Sequence, residues 1–395
     1  MHLRHRTAAV LLAAALVLLL WARRLSGFAG RNRVSPEIFN STLGFQQIFA
    51  INLPSRTDRR DALTLAAAVS GLNITFIDGV AGADVLDKTV PGDPAARPGF
   101  TVGNKGSWRA HMNVLQRILE TNLETALILE DDADWDIRLP FQLQQFALAA
   151  QAFTHPSAHT RQTLAKFHHG VNLPVANLPP LPHHQPHASP YGPAWDLLWL
   201  GHCGTDFPLP DSNLSSLRVT IPQDSTVPSR QHLRPHPFAL LDKLGEEYPP
   251  HTRVVHAPRG AVCTQAYAVS RRGAGKLLWR FGLREVTGGW DLMVRDWCDG
   301  VFHGGGAGEG EDGNGRGGGE SLGGEERLPV CVTVQPPLFS HHYGKGGGSD
   351  IVPAGGGFLK GEREMTPYVR KSVRLNLERL VDGREAVEQW GGDEE

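Results

Sequence analysis

Thr125-Ala-Leu-Ile-Leu-Glu-Asp-Asp-Ala-Asp-Trp-Asp136 is the stretch on which the reading of this chain turns. The apolar run Ala126 to Leu129 predicts a buried strand. It ends abruptly in Glu130, Asp131 and Asp132. Three acids at the exit of a buried strand are costly unless solvent or a cation meets them. In an α/β sheet the carboxyl ends of the strands are where ligands bind. One reading is therefore a hard divalent cation, Mg²⁺ or Mn²⁺, held by one or two carboxylates and completed by phosphate oxygens. The other is a solvated acidic turn. The cluster alone leaves both open.

Working outward, Gln47 to Leu53 reads as a first strand and 54–60 as a turn. Thr57 or Asp58 is placed to cap a helix running to about Val69. Asn73 to Ile77 reads as a second strand, and this βαβ opening argues for a parallel sheet. A helix is expected over Ser107 to Glu120, where Met112, Leu115, Ile118 and Leu119 fall near helical spacing, and another over Phe141 to Phe153. Trp195 to Leu200, Val254 to Ala257, Ala261 to Ser270 and Leu328 to Val334 read as further strands, and 206–250 as irregular. Helices are expected to begin at Arg271 and Trp290.

The chain has 395 residues, 41% hydrophobic, with net charge −2. There is room for one large or two medium domains, and no bulk electrostatic case for nucleic acid. His2, Arg4, His5 and Arg6 precede an apolar run over 8–21, and Arg23 and Arg24 follow it. That pattern reads as a signal-anchor in preference to a cleaved signal peptide, although the run is short for a full span of about 20 residues. Residues 1–33 are expected to be anchor and stem, with the rest in the lumen as a single-pass type II protein of the Golgi or endoplasmic reticulum. Three sequons agree with a lumenal body: Asn40-Ser-Thr42, Asn73-Ile-Thr75 and Asn213-Leu-Ser215. The four cysteines show no CxxC spacing, so zinc is not expected, and one or two disulfides or buried thiols are open.

A globular domain over 34–345 is expected, with irregular insertions at 154–193 and 303–326 and a tail over 346–395. The first insertion carries His155, His159, His168, His169, His183, His184 and His187, irregularly spaced among prolines, and reads as a surface excursion and not a metal tract. The second is Gly/Glu low complexity. Its glycines lack the Lys-Ser/Thr and the strand–helix frame of a phosphate loop.

Taken in order, several blocks resemble glycosyltransferase family 25, which includes lipooligosaccharide and collagen hydroxylysine galactosyltransferases. They are Ile51-Asn-Leu-Pro54 with Arg56, Arg59 and Arg60; Gly106-Ser-Trp-Arg-Ala-His111; Leu129-Glu-Asp-Asp132; Tyr267-Ala-Val-Ser-Arg271; and Pro337-Leu-Phe-Ser340. Ser107 and Ala110 stand where the family pattern has Cys and Ser. The insertions are in the style of a fungal member. The resemblance implies an α/β protein of GT-A type: a Rossmann-like mixed sheet flanked by helices, with long irregular insertions. It also implies an inverting transferase that moves a sugar, galactose above all, from a UDP-sugar to a hydroxyl of a glycan or glycoprotein, with Mn²⁺ or Mg²⁺.

On that reading, Asp132 is the first metal ligand and Glu130 the second, and His341 or His342 joins them from the end of the last strand. Asn52, Arg56, Arg59 and Asp131 meet the nucleotide or its phosphates, Asp131 lying on the opposite face by strand alternation. Asp291 is the candidate general base, with Asp296 and Glu285 as alternates; an aspartate at a helix start also serves as a cap. His111 faces either the core or the site. Trp195 and Trp199 fit core packing better than sugar stacking, which Trp290 is also placed to provide. Two other readings stay open: a non-catalytic lumenal sugar-binding relative, and a metal-dependent phosphoesterase, which would need a second cluster of ligands.

Overall fold

A computed structural model describes residues 36–156, 162–168, 170–179, 189–233, 243–302, 328–344 and 364–391. The expected anchor, the Gly/Glu tract and His159, His169, His183, His184 and His187 lie outside those residues. Among the described residues no helix is long and apolar enough to cross a membrane.

The strands in chain order are β1 (Gln47–Asn52), β2 (Ile74–Asp78), β3 (Thr125–Glu130), β4 (Ala133–Trp135), β5 (Asn172–Pro174), β6 (Leu197–Gly201), β7 (Gly204–Asp206), β8 (Arg218–Ile221), β9 (Arg253–His256), β10 (Arg259–Val262), β11 (Ala266–Ser270), β12 (Cys331–Gln335) and β13 (Phe339–His341). Eleven of them form one mixed sheet with the path β2-β1-β3-β11-β6-β12-β9-β8-β5, and β13 joins β4 and β6. β1 pairs in parallel with β2 and β3, while β11 runs antiparallel between β3 and β6. The expected mixed sheet flanked by helices is what the chain forms.

Both faces of the sheet are apolar, which is why its central strands read as unbroken hydrophobic runs. In β3, Leu127 and Leu129 face one core, with Leu63 and Ala66 of the Thr57–Val69 helix and Phe146 of the Leu139–Thr154 helix. Ala126 and Ile128 face the other, with Trp108, Met112, Leu115 and Ile118 of the Val102–Glu120 helix and Trp290, Met293 and Trp297 of the Trp290–Cys298 helix. The spacing of 108, 112, 115 and 118 is the stripe of one helix face. That helix begins five residues before the expected Ser107, because Thr101 caps it by accepting the Asn104 N–H at 3.1 Å. Gly106 sits where the helix crosses the chain after β2: a Cβ there would lie 2.3 Å from the Val80 carbonyl oxygen.

Four expectations are corrected. Neither Thr57 nor Asp58 caps its helix; Arg56 holds the cap position without a side-chain bond, and Asp58 pairs with the Arg56 guanidinium. The expected strand over 261–270 is two strands. The chain turns at Cys263, whose φ is +66°, so that β10 leaves the sheet to pair with β7 in a separate ribbon. The irregular 206–250 contains β8, and the 154–193 insertion contributes β5, which pairs with it at the sheet edge. Residues 364–391, expected as tail, pack against the body: Ser372 bridges Asp136, and Met365 bridges Tyr343.

Candidate active site

The acidic turn opens where β3 ends. β1 brings Asn52 to one flank, since Ile51 is in register with Glu130. On the other flank the chain entering β11 offers the Gln265 carbonyl, which accepts the Glu130 N–H at 3.0 Å. Asp131 accepts Asn52 Nδ2 at 2.9 Å on one oxygen and Arg59 Nη1 at 2.7 Å on the other. The same Nη1 reaches Asp132 Oδ2 at 2.9 Å. Arg59 thus bridges both aspartates from the first turn of the helix after β1.

Asp132 is 9% exposed, and its Oδ1 is buried with no hydrogen-bond partner among the described residues. His341 Nε2 lies 3.7 Å from its Oδ2, and the His341 ring stacks on Tyr343 at 4.2 Å. A buried carboxylate oxygen without a donor is the kind of atom a cation satisfies. Asp132 and His341 therefore fit a partial shell for a divalent metal, with substrate oxygens needed to complete it. Among the described residues, however, no group of three or more His, Cys, Asp or Glu side chains is arranged to hold a metal ion.

His342 does not join Asp132. Successive residues on a strand point to opposite sides, and the His342 ring turns into a second network, with Nδ1 3.1 Å from Thr366 Oγ1 and 3.9 Å from Asp134 Oδ2. Asp134 is fully buried and accepts the Thr366 hydroxyl at 2.6 Å, the Ser372 hydroxyl, and the Arg374 N–H at 3.1 Å. Arg374 donates to the carbonyls of Asp131 and Ala133 at 2.5 and 2.9 Å. The back of the acidic turn is held by this segment. Nothing in the sequence pattern ties Arg374 to Asp134, 240 positions earlier.

Glu130 points to the other side. Its Oε1 accepts the Thr264 hydroxyl at 2.7 Å and lies 3.9 Å from His111 Nε2. His111 Nδ1 is 2.8 Å from the Tyr267 hydroxyl, and its ring stacks on Trp290 at 4.8 Å. Burial holds His111 down to about 3, so the ring is neutral. Burial, and then the charge of Asp132, pushes Glu130 up to about 8. Burial also raises Asp131, helped by Asp132. At Asp132 burial works upward too, but His341, Arg59 and Arg374 outweigh it and hold this carboxyl below its usual range. Neighbouring carboxylates are thus driven apart: Asp132 is the anion of the cluster, and Glu130 keeps its proton near neutrality.

Asp291 lies in the first turn of the Trp290–Cys298 helix, two residues past the Gly289 cap position and next to Trp290. Its Oδ2 accepts the Cys263 N–H at 2.9 Å. The three residues between β10 and β11 therefore touch both acids, Cys263 holding Asp291 and Thr264 holding Glu130. Asp296 pairs with Arg295, and Glu285 lies 3.5 Å from Arg280. Arg56 is engaged with Asp58, and its carbonyl accepts Asn52 Nδ2 at 3.1 Å. Trp195 and Trp199 are buried in the two cores, as expected. Thr264 and Arg374 escaped the sequence reading: a lone Thr in a presumed strand and an Arg in a presumed tail carry no signal.

All four cysteines are paired, Cys203 with Cys263 and Cys298 with Cys331.

Residues 45–174 match the family model described as "Glycosyltransferase family 25 (LPS biosynthesis protein)". The chain is 30% identical over 119 residues to a Xenopus laevis protein named procollagen galactosyltransferase 1-B, covering 28% of this chain and 20% of that protein. It is 30% identical over 111 residues to an Anopheles gambiae glycosyltransferase 25 family member, covering 26% and 19%. It is 29% identical over 120 residues to procollagen galactosyltransferase 1 of Danio rerio, covering 28% and 20%. The matches take in about a fifth of these relatives' own length. These three relatives are animal proteins and lend no support to a fungal source.

Proposed function

On the premise that residues 45–174 are a family 25 glycosyltransferase segment, we propose that this chain transfers a hexose from a nucleoside diphosphate sugar to a hydroxyl of a glycan or glycoprotein. The observation that carries the proposal is Asp132: a buried anion with one unsatisfied oxygen, flanked by Arg59 and His341, at the carboxyl edge of the sheet. Galactose is the sugar in the names of two of the relatives, and UDP-galactose is the donor assigned here. Four paired cysteines support a lumenal site of action.

Asp132 and His341 would hold a divalent cation, Mn²⁺ or Mg²⁺, which when bound stabilises the departing diphosphate as a Lewis acid. Arg59 supplies a guanidinium beside the same oxygens, suited to phosphate. Asn52, whose Oδ1 is buried without a partner among the described residues, offers an acceptor to the nucleotide. Asp291 is held through one oxygen by Cys263, which leaves the other to take the acceptor's proton. The acceptor oxygen then bonds to the anomeric carbon as that carbon's bond to the diphosphate oxygen breaks. The diphosphate leaves with the electron pair, the proton passes to Asp291, and the configuration inverts in one displacement.

The test is UDP release from a panel of UDP-sugars with Mn²⁺ and with EDTA, on the wild type and on Asp132→Asn. Metal-dependent release from one sugar, reduced at least 100-fold in the variant, is the expected result. Release that persists in EDTA or in Asp132→Asn overturns the metal assignment. A folded protein that neither binds nor cleaves any donor overturns the transferase reading.

A further inference from the structure

Three surface asparagines remain outside the site: Asn40, Asn73 and Asn213, each the first residue of an Asn-x-Ser/Thr triplet and each exposed. Asn40 lies in the turn before β1. There its Oδ1 accepts the Thr42 N–H at 2.9 Å, the Thr42 hydroxyl at 3.1 Å and the Gly44 N–H at 3.1 Å. The triplet's hydroxyl lies between this amide oxygen and the Phe45 carbonyl, which it also approaches, and Asn40 Nδ2 has no partner among the described residues. Asn73 immediately precedes β2 and contacts the first triplet, its N–H donating to the Ser41 carbonyl at 2.8 Å. Asn213 lies before β8, in a cleft of about 460 Å³ that it shares with Val330 and Cys331 at the start of β12.

These positions have one thing in common. β1, β2, β3, β6, β8 and β12 all run in the same direction: the parallel pairs fix β1 with β2 and β3, and β6 with β12, while β11 and β9 reverse the chain between the others. All three asparagines stand at the amino ends of these strands. Asn52, Glu130 and the acidic turn stand at the carboxyl ends. A strand of five or six residues separates the two rims by roughly 17–20 Å.

We infer that the chain carries N-linked oligosaccharides at Asn40, Asn73 and Asn213, confined to the rim of the sheet opposite the acidic site. In the modification, Asn Nδ2 bonds to the anomeric carbon of an oligosaccharide held on a polyprenyl diphosphate. The bond from that carbon to the diphosphate oxygen breaks, the lipid diphosphate leaves with the electron pair, and the amide gives up one proton. Two further observations point the same way. The paired cysteines are the redox state of the compartment in which such transfer occurs. None of the three amides is needed by the core, so a bulky, hydrated adduct costs no packing. This inference stands apart from the transferase reading and survives if that reading fails.

The experiment uses the full chain made in a eukaryotic secretory host, with peptide N-glycosidase treatment in ¹⁸O water and peptide mass mapping. Expected are a fall in mass on treatment and labelled Asn→Asp conversion at Asn40, Asn73 and Asn213. Each of Asn40→Gln, Asn73→Gln and Asn213→Gln should remove one step, and the triple variant should show none. No mass change in the wild type, or a change that persists in the triple variant, overturns the inference; an unconverted asparagine removes that site from it. Should a Gln variant fail to fold, mapping of the wild type alone decides. Thr75→Ala and Ser215→Ala, which destroy the triplet but keep the asparagine, repeat the test at two sites.

Discussion

Glu130 and Asp132 stand two residues apart at the end of one strand, one protonated and the other ionised near neutrality, a difference made by their neighbours. Glu130 ionises near 4.5 in an unfolded chain and near 8 in the fold. Between those values the folded protein keeps a proton that the unfolded chain has lost. The stability that Glu130 contributes is therefore complete below about pH 4.5 and disappears as pH rises towards 8. Glu130→Gln, which mimics the protonated side chain, should leave stability nearly unchanged at pH 4 and raise it by on the order of 4 kcal/mol at pH 8. Urea unfolding at the two pH values measures this; equal effects at both would refute it. The identity of the acids was legible in the sequence, because carboxylates at the end of an apolar run stand out. Strand alternation does not carry into the turn: Asp131 shares Arg59 with Asp132, and Glu130 is the acid that faces away. Their protonation was not legible. It depends on Thr264, His111 and Arg374, which arrive from three distant parts of the chain.

At the level of the element, the informative piece is the segment over 364–391. A Gly-rich stretch followed by mixed charge reads as a tail because nothing in it repeats with a helical or strand period. Its structure comes from Asp134 and Asp136, whose carboxylates accept its hydroxyls and N–H groups, including the Lys371 N–H at 2.9 Å. Polar contacts of this kind leave no hydrophobic pattern behind. Arg374→Met should leave the Asp131 and Ala133 carbonyls buried without donors, at about 1–3 kcal/mol each. A loss of roughly 2–4 kcal/mol in denaturant midpoints is expected, together with weaker donor binding. Unchanged stability would mean that the turn holds its own shape. The split of the expected 261–270 strand has a comparable origin. Ala261 to Ser270 is apolar enough to be one strand, and only the left-handed backbone at Cys263 breaks it. That break supplies the N–H that Asp291 accepts.

Across the whole molecule, the sheet and its two cores were legible because each central strand is apolar on both faces and each flanking helix carries one apolar stripe. The edge strand β5 and its neighbour β8 were not, being short and set among polar residues. Cys298–Cys331 lies within one of the two cores, while Cys203–Cys263 spans 60 positions and ties the loop after β6 to the turn that carries Cys263 and Thr264. Closing a loop of that length is worth about 4 kcal/mol in the chain-entropy account. Reduction should lower the thermal midpoint by several degrees and slow sugar transfer more than it weakens donor binding, since Asp291 and Glu130 both lean on that turn. Calorimetry with and without dithiothreitol, beside transfer rates on the same samples, checks both parts. Loss of donor binding alone would place the effect elsewhere.

The clamp on the acidic turn also sets an order of assembly. Chains are made from the amino end at roughly 5–20 residues per second, and folding follows that direction. Residues 45–174, the whole of the segment that matches the family, leave the ribosome long before Arg374 does. Until Arg374 arrives, the carbonyls of Asp131 and Ala133 face water and the buried Asp134 lacks its hydroxyl partners. A nascent chain can then hold every recognisable motif and still have no finished site. A premature stop codon anywhere between 341 and 363 would have the same result, leaving each of those motifs translated and the acidic turn without its clamp.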